Sequence, residues 1–401
     1  MIPRKITDHL VTLASQYPIV TVTGPRQSGK TTLLRQSFPA KSYINLEAPD
    51  LRAHFLADPR GFLARYPEGA ILDEFQRVPD LPSWLQVLVD AAPTPGRFLL
   101  TGSQQLEVMG RVSQSLAGRT ALLKLLPLAI EELAAAGIMP GADRLLLSGG
   151  YPRIHAPAVD PVAPVTPGQM LADYFETFVQ RDLRQLAEVR DLGLFERFVR
   201  LCAGRVGQLL NLNNLAADAG ISQPTARAWL SLLEANYIVF LLPPYHGNLR
   251  KRLIRSPKLY FHDVGLASFL IGIELEAQIP AHPLRGALFE NLAIAEVLKW
   301  HYNRGARPHL CFYRDAAGLE VDLLIEHPLT PVAIEIKSGT TVATDMLAGL
   351  KRHAALTPNA SCIRMLVHGG DLDAAREDIW LVALPHLPAA LSRALTMLPC
   401  S

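Results

Sequence analysis

The sequence predicts an α/β protein whose two ends alternate strands with helices around a middle that is almost wholly helical. Three observations predict it. Short apolar runs alternate with helical stretches over residues 1–130 and again over 276–401, the pattern of strands covered by helices. Residues 131–275 keep the helical period, with few β-rich runs. Between them the chain is punctuated: APAVDPVAPVTPG carries prolines at 157, 161, 164 and 167, which forbids a regular helix or central strand, so residues 156–168 read as an extended loop. A second boundary falls at residues 272–283.

Composition narrows the function classes. Apolar residues make up 49% and charged residues 19%, which is globular. The 39 basic and 37 acidic residues leave a net charge of +2, so any nucleic-acid contact must come from a local patch rather than a general coat. Four cysteines lie far apart with no C-x-x-C pair, which indicates neither a zinc site nor a disulfide framework, and reduced thiols are the simple reading. The opening MIPRKITDHL lacks the apolar stretch of a signal peptide, and no run reaches the length of a membrane span. A cytoplasmic protein with no membrane partner is expected.

In chain order, IVTVT at 19–23 is a β-rich run, followed at once by GPRQSGKTTLLRQ. Gly24, Gly29, Lys30 and Thr31 satisfy G-x-x-x-x-G-K-[ST], with Pro25, Arg26, Gln27 and Ser28 between and Thr32 after. Small residues let backbone N–H groups wrap phosphates, and the helix that follows adds its positive end. Lys30 would reach the β- and γ-phosphates of ATP, while the Thr31 hydroxyl would ligate Mg²⁺. A second strand, AIL at 70–72, ends in Asp73 and Glu74. Asp73 is suited to hold the Mg²⁺, and Glu74 to polarise the attacking water as general base. A third strand, RFLLTGSQQ, ends in polar residues from which Ser103, with Thr101 and Gln104 nearby, would sense the γ-phosphate.

Through GPRQSGKT, ILDEFQ and LLTGSQ in that order, the chain resembles the AAA+ class of P-loop ATPases. More narrowly, SLAGRTALLKLLPL, GGYPR and YFETFVQRDL make it similar to bacterial and archaeal ATPases that pair such a domain with a C-terminal domain of unknown function. The resemblance implies an ATPase core over 1–130 and a helical lid and linker over 131–200. It also implies that Arg119 reaches the nucleotide of a neighbouring subunit, and hence a homo-oligomer, ring-shaped as in the class. Local surface pairing is the alternative for Arg119. Arg153 of GGYPR would be a second nucleotide sensor from the lid, or an incidental arginine in a glycine-rich turn.

From Leu212, the text LNNLAADAGISQPTARAWLSLLEANY gives a short helix, a turn through Gly220, and a second helix capped by Ser222. Helix, glycine turn, helix is the arrangement of a helix-turn-helix. The second helix would offer Gln223, Thr225, Arg227 and Ser231 to base edges or phosphates. The runs YIVFLLPPY and KLYFHDVG would form a wing, making 201–275 a winged-helix domain. Between them Arg250, Lys251, Arg252, Arg255 and Lys258 place five cations in nine residues, with no acid from 235 to 262. Such density points to duplex or branched DNA, to RNA, to a solvated face or to a subunit contact.

The last region, 276–401, reads as helix, three strands, helix, strand, an order that resembles the restriction-endonuclease-like superfamily. Asp322 on one strand, Glu335 and Lys337 in an E-x-K on the next, and Glu290 on the preceding helix match its residues. Positions i and i+2 of a strand share a face, so Glu335 and Lys337 point into one site. Asp322 and Glu335 would bind Mg²⁺, Lys337 would activate the water, and Glu290 would add an outer ligand. The alternative is a solvated strand end on which Lys337 neutralises Glu335.

Three functions follow. The first is an ATP-driven DNA-handling protein. The second is an ATP gate on a metal-dependent nuclease. The third is a nucleotide-dependent protein-interaction switch.

Overall fold

The computed structural model describes residues 2–102, 116–156, 166–179, 191–245, 256–327, 330–356 and 362–396. It opens with α1 (Thr7–Gln16), β1 (Ile19–Thr23), α2 (Lys30–Ser37), β2 (Ser42–Asn45), α3 (Pro49–Ala57), α4 (Pro59–Ala64), β3 (Ala70–Asp73), α5 (Leu81–Ala91), β4 (Phe98–Gly102) and β5 (Thr120–Lys124). The five strands form one sheet in the order β2-β3-β4-β1-β5, parallel at every pairing. Every residue of β1, β3 and β4 is buried, as expected for parallel strands covered on both faces. Two apolar layers do the covering: Phe55, Phe62, Leu81 and Leu85 on one face, Leu10, Leu33 and Leu34 on the other. This layout brings the C-terminal ends of β1 and β3 to the same edge of the sheet, where ligands bind in open α/β sheets.

The helical middle follows: α6 (Ile130–Ala135), α7 (Ala142–Ser148), α8 (Pro152–His155), α9 (Pro167–Thr177), α10 (Leu192–Ala203), α11 (Leu212–Ala219) and α12 (Gln223–Ala235). The expected loop through residue 168 is corrected here, because α9 begins at Pro167 with Thr166 as its N-cap, whose hydroxyl accepts from Gln169 N at 3.2 Å. A proline at the first helical position gives up only an N–H that has no partner there. Residues 157–165 lie outside the described part. Next come β6 (Val239–Leu242) and β7 (Lys258–Phe261), paired antiparallel with Val239 opposite Phe261. The chain then forms α13 (Val264–Leu270).

The C-terminal region contains α14 (Arg285–Asn303), β8 (Leu310–Arg314), β9 (Glu320–Ile325), β10 (Val332–Lys337), α15 (Ala348–Leu356), β11 (Ile363–His368), β12 (Ala374–Arg376), β13 (Ile379–Ala383) and α16 (Leu387–Thr396). Its sheet runs β12-β13-β11-β10-β9-β8. The β8-β9-β10 meander is antiparallel, and β10, β11 and β13 are parallel. The expected helix, three strands, helix and strand all form, and β12, β13 and α16 extend the domain beyond them. One apolar core runs without interruption from Leu126 through Phe198, Trp229 and Phe289 to Ala394, so the middle and C-terminal regions are packed as one body.

Candidate nucleotide site and the C-terminal charge cluster

The glycine-rich turn leaves β1 through Gly24, at φ 148°. A Cβ there would lie 2.1 Å from the Leu125 carbonyl oxygen, so the close approach of β1 and β5 admits only glycine. Gln27 holds φ 57° without being glycine, a strained conformation of the kind that functional loops keep. Gly29 caps α2, and Lys30 is its first residue. The Lys30 ammonium donates to the carbonyls of Gly24 at 3.0 Å and Pro25 at 2.7 Å. Pro25 is buried, Arg26 half-buried and Thr32 exposed. Ser28 is wholly buried, and its hydroxyl has no hydrogen-bond partner.

Across the sheet edge, the buried Asp73 carboxylate gathers three hydroxyls. Thr31 donates at 3.0–3.1 Å, Tyr43 of β2 at 2.7 Å, and Thr101 of β4 is hydrogen-bonded as well. Burial, then the bond to Asp73, pushes the Tyr43 phenol well above its ordinary range, so it remains a donor. Glu74 takes φ 53°; its N–H donates to Thr101 Oγ1 at 3.3 Å, and its carboxylate accepts from Gln76. The structure therefore brings Lys30, Thr31, Asp73 and Glu74 together. An orphaned Ser28 hydroxyl inside the loop, with a serine-threonine hydroxyl facing a carboxylate, fits a magnesium nucleotide held by Thr31 and Asp73.

Two arginines have different places. Arg153 lines a cavity of about 420 Å³ with Gly29, Thr32 and Gln36, beside the loop. Arg119 precedes β5 at the opposite edge of the sheet, and its guanidinium pairs with Asp90 of α5 at 2.5 and 2.8 Å. It cannot reach the nucleotide loop of its own chain. Ser103 and Gln104 lie outside the described residues. One residue missed at the sequence level is Arg4, which donates to the Ser28 carbonyl at 2.7 Å, to Leu126 O at 2.7 Å and to Glu132 at 2.9 Å. It ties the loop to α6, and no local pattern in MIPRK signals this.

In the middle region, Gly220 at φ 76° ends α11, and Ser222 caps α12 by accepting from Thr225 N at 3.2 Å. Arg227 and Ser231 are exposed, and Gln223 and Thr225 half-exposed. Arg250, Lys251, Arg252 and Arg255 lie outside the described residues. Lys258 is corrected: it is 3% exposed, pairs with Glu290 at 2.9 Å and Glu320 at 2.6 Å, and so cannot meet DNA phosphates. Its strand register turns it inward, away from the basic run that precedes it.

The C-terminal acids also converge, but around ammonium groups. Lys337 lies 2.6 Å from Glu335 and 3.7 Å from Asp322. Asp322 accepts from Ile336 N at 2.8 Å, and Glu290 takes Lys258 together with the Tyr260 hydroxyl. Burial, then the nearby Asp322 charge, pushes Glu335 up to about 7; burial, then Asp322, raises Glu290 as well. Among the described residues, no group of three or more His, Cys, Asp or Glu side chains is placed to hold a metal ion. Beside Glu290, Asp322 and Glu335 the positive charge comes from Lys337 and from Lys258, which sequence spacing assigned elsewhere.

Residues 16–134 match the AAA domain family, residues 139–277 a domain of unknown function (DUF8612), and residues 285–387 a domain of unknown function (DUF4143). The uncharacterized protein Rv2008c of Mycobacterium tuberculosis is 35% identical over 325 residues, covering 81% of this chain and 71% of its own. An uncharacterized protein of Haemophilus influenzae is 24% identical, covering 63% and 69%. Among solved structures, the Walker-type ATPase PABY2304 of Pyrococcus abyssi has a TM-score of 0.42 at 14% identity, covering 67% of this chain and 96% of that one. AMPPCP-bound DnaA from Aquifex aeolicus has a TM-score of 0.29 at 14% identity, covering 57% and 85%. The fold and the site define an AAA-type P-loop ATPase domain. The chain belongs to the family of the mycobacterial protein, with that domain followed by DUF4143. Among the described residues no helix is long and apolar enough to cross a membrane.

Proposed function

We propose that the chain hydrolyses ATP and couples the turnover to handling DNA, duplex or branched, as a homo-oligomeric ring. One observation carries the hydrolase reading: Lys30, Thr31 and Asp73 meet at one sheet edge beside the partnerless Ser28 hydroxyl. Bound there, Mg²⁺ would offset negative charge on the phosphate oxygens. Lys30, whose ammonium rests on two loop carbonyls, would exchange them for the β- and γ-phosphates. Glu74 would orient the attacking water and accept its proton. Arg153 would contact the nucleotide from the lid side, and Ser103 from the next strand. Arg119 at the far sheet edge would serve the site of a neighbouring subunit.

The DNA reading is supported by the α11-turn-α12 arrangement with Arg227 exposed, and by the run Arg250, Lys251, Arg252 and Arg255. ATP turnover measured with and without duplex, single-stranded and branched DNA tests both halves. DNA-stimulated turnover that Lys30→Ala abolishes is the expected outcome. Failure of calorimetry to detect any ATP uptake by the folded chain with Mg²⁺ present would overturn the hydrolase reading, and turnover indifferent to every DNA would overturn the coupling.

A second reading, an ATP-gated nuclease, is favoured by the convergence of Asp322, Glu335 and Lys337 on one face of the C-terminal sheet. Divalent-dependent cutting of DNA that is lost in Glu335→Ala would select it.

A further inference from the structure

We propose that Arg4 is a positioning residue for the nucleotide loop: its guanidinium fixes the Ser28–Gly29 peptide so that the Gly29 N–H faces the phosphates. The proposal rests on the nucleotide reading of that loop and carries it to a residue that lies ahead of the motif and ahead of β1.

The loop needs a hold at this peptide. Gly29 sits at φ 92°, and glycine takes positive and negative φ about equally readily. The peptide plane before it can therefore turn over, through a coupled change in Ser28 ψ and Gly29 φ, at little cost. Ser28 does not supply the hold, because its hydroxyl is buried and has no hydrogen-bond partner. Nor does the helix, because Gly29 is the cap of α2 and its N–H has no partner within it.

Arg4 supplies it. One terminal nitrogen donates to Ser28 O at 2.7 Å, the other to Leu126 O at 2.7 Å, just past β5, and Nε donates to Glu132 at 2.9 Å. Glu132 is wholly buried, and its carboxylate is itself fixed, accepting from Lys5 N at 2.8 Å and Ala129 N at 2.9 Å. The Arg4 side chain is 7% exposed, so its planar fork is held on three sides. In a trans peptide the C=O and the following N–H point in opposite directions, and among the described residues no peptide bond is cis. Drawing the Ser28 carbonyl toward Arg4 thus turns the Gly29 N–H away from it, to join the first N–H groups of α2 in binding an anion. Arg4 meets the backbone of the loop, and acts on the nucleotide through that peptide.

The test uses the full chain with Mg²⁺, reading affinity for ATP and for inorganic tripolyphosphate by calorimetry. Arg4→Met combined with Glu132→Gln removes the clamp without leaving a buried charge unpaired. Both probes are expected to bind this variant about tenfold or more weakly, by similar factors, because the loop meets only phosphates. Arg4→Lys keeps the charge but not the fork, and is expected to weaken both probes several-fold. Lys258→Met, which weakens the fold through the C-terminal cluster, is expected to bind both as the wild type does, which separates positioning from loss of stability. Circular dichroism establishes that each variant is folded. Wild-type affinity for tripolyphosphate in either folded Arg4 variant overturns the proposal, as does an equal loss in Lys258→Met. Those outcomes leave the nucleotide reading intact, whereas no uptake of ATP by the wild-type chain removes that reading and the proposal with it. Should the double variant not fold, Arg4→Lys decides alone.

Discussion

Asp73 shows what one carboxylate gathers from three other elements. Thr31 reaches it from α2, Tyr43 from β2 and Thr101 from β4, while the residue itself ends β3. The first and last of these belong to strand-end patterns visible in the sequence. Tyr43 does not, because SYIN is an unremarkable edge strand until β2 pairs with β3 and sets Asn45 opposite Asp73. Tyr43→Phe removes one hydrogen bond to a charged group on a half-exposed donor, so a loss of about 1 kcal/mol in thermal melting is expected. A several-fold higher Mg²⁺ requirement for ATP turnover should accompany it, read from a magnesium titration. Glu335 makes a prediction of a different kind. Its carboxyl is raised to about 7 in the folded chain, by burial first and Asp322 second, so between about 4.5 and 7 the folded state holds more protons than the unfolded one. Its contribution is therefore full below that window and is lost as pH rises through it. Glu335→Gln should flatten the stability profile there, changing its standing relative to wild type by on the order of 2 kcal/mol between pH 4.5 and 8, as measured by urea unfolding across that range.

At the scale of the element, β7 explains why Lys258 does not belong to the basic run that precedes it. Charge counting joins Lys258 to Arg250–Arg255, but a strand alternates its faces, and pairing with β6 sets Lys258 opposite Leu242. The side chain then falls between Glu290 of α14 and Glu320 of β9. Burial pulls its ammonium down, yet Glu290, Asp322 and Glu320 together outweigh this and hold it above the ordinary lysine range. Lys258→Met should cost on the order of 3 kcal/mol in denaturant melts, because it strands buried carboxylates. It should leave the salt dependence of any DNA binding unaltered, since that charge faces no solvent. The α11-α12 pair was fully legible, because its signals are local: Asn211 and Ser222 cap the helices with their own side chains, and Gly220 supplies the left-handed turn.

At the scale of the whole molecule, the ATPase sheet and the C-terminal region are joined by buried polar contacts as well as by the shared core. Lys299 of α14 donates to Leu128 O at 2.9 Å and to Glu296 at 2.8 Å, and Glu296 in turn accepts from Ile130 N at 2.7 Å. Arg4 and Glu132 continue the chain of contacts to the Ser28 carbonyl of the nucleotide loop. Lys299→Met leaves the fully buried Glu296 without its counter-charge, and a loss of about 3–5 kcal/mol is expected in denaturant unfolding. The double variant Glu296→Gln with Lys299→Met should recover part of it, because the two sites share one interaction.

The amino-acid sequence by itself determined the α/β ends, the helical middle, the nucleotide loop and the acidic strand end, since each is written in neighbouring residues whose period or spacing carries the signal. It also set Glu335 and Lys337 on one face, because strand alternation is local, whereas Asp322, on the neighbouring strand, joined them only through the resemblance to the restriction-endonuclease-like order. Only the tertiary structure decided what Lys258 and Arg119 touch, and that Tyr43 and Arg4 brace the loop. These contacts join residues about 30 to more than 120 positions apart. They depend on which strands pair and which helices cover them, and no local pattern encodes that.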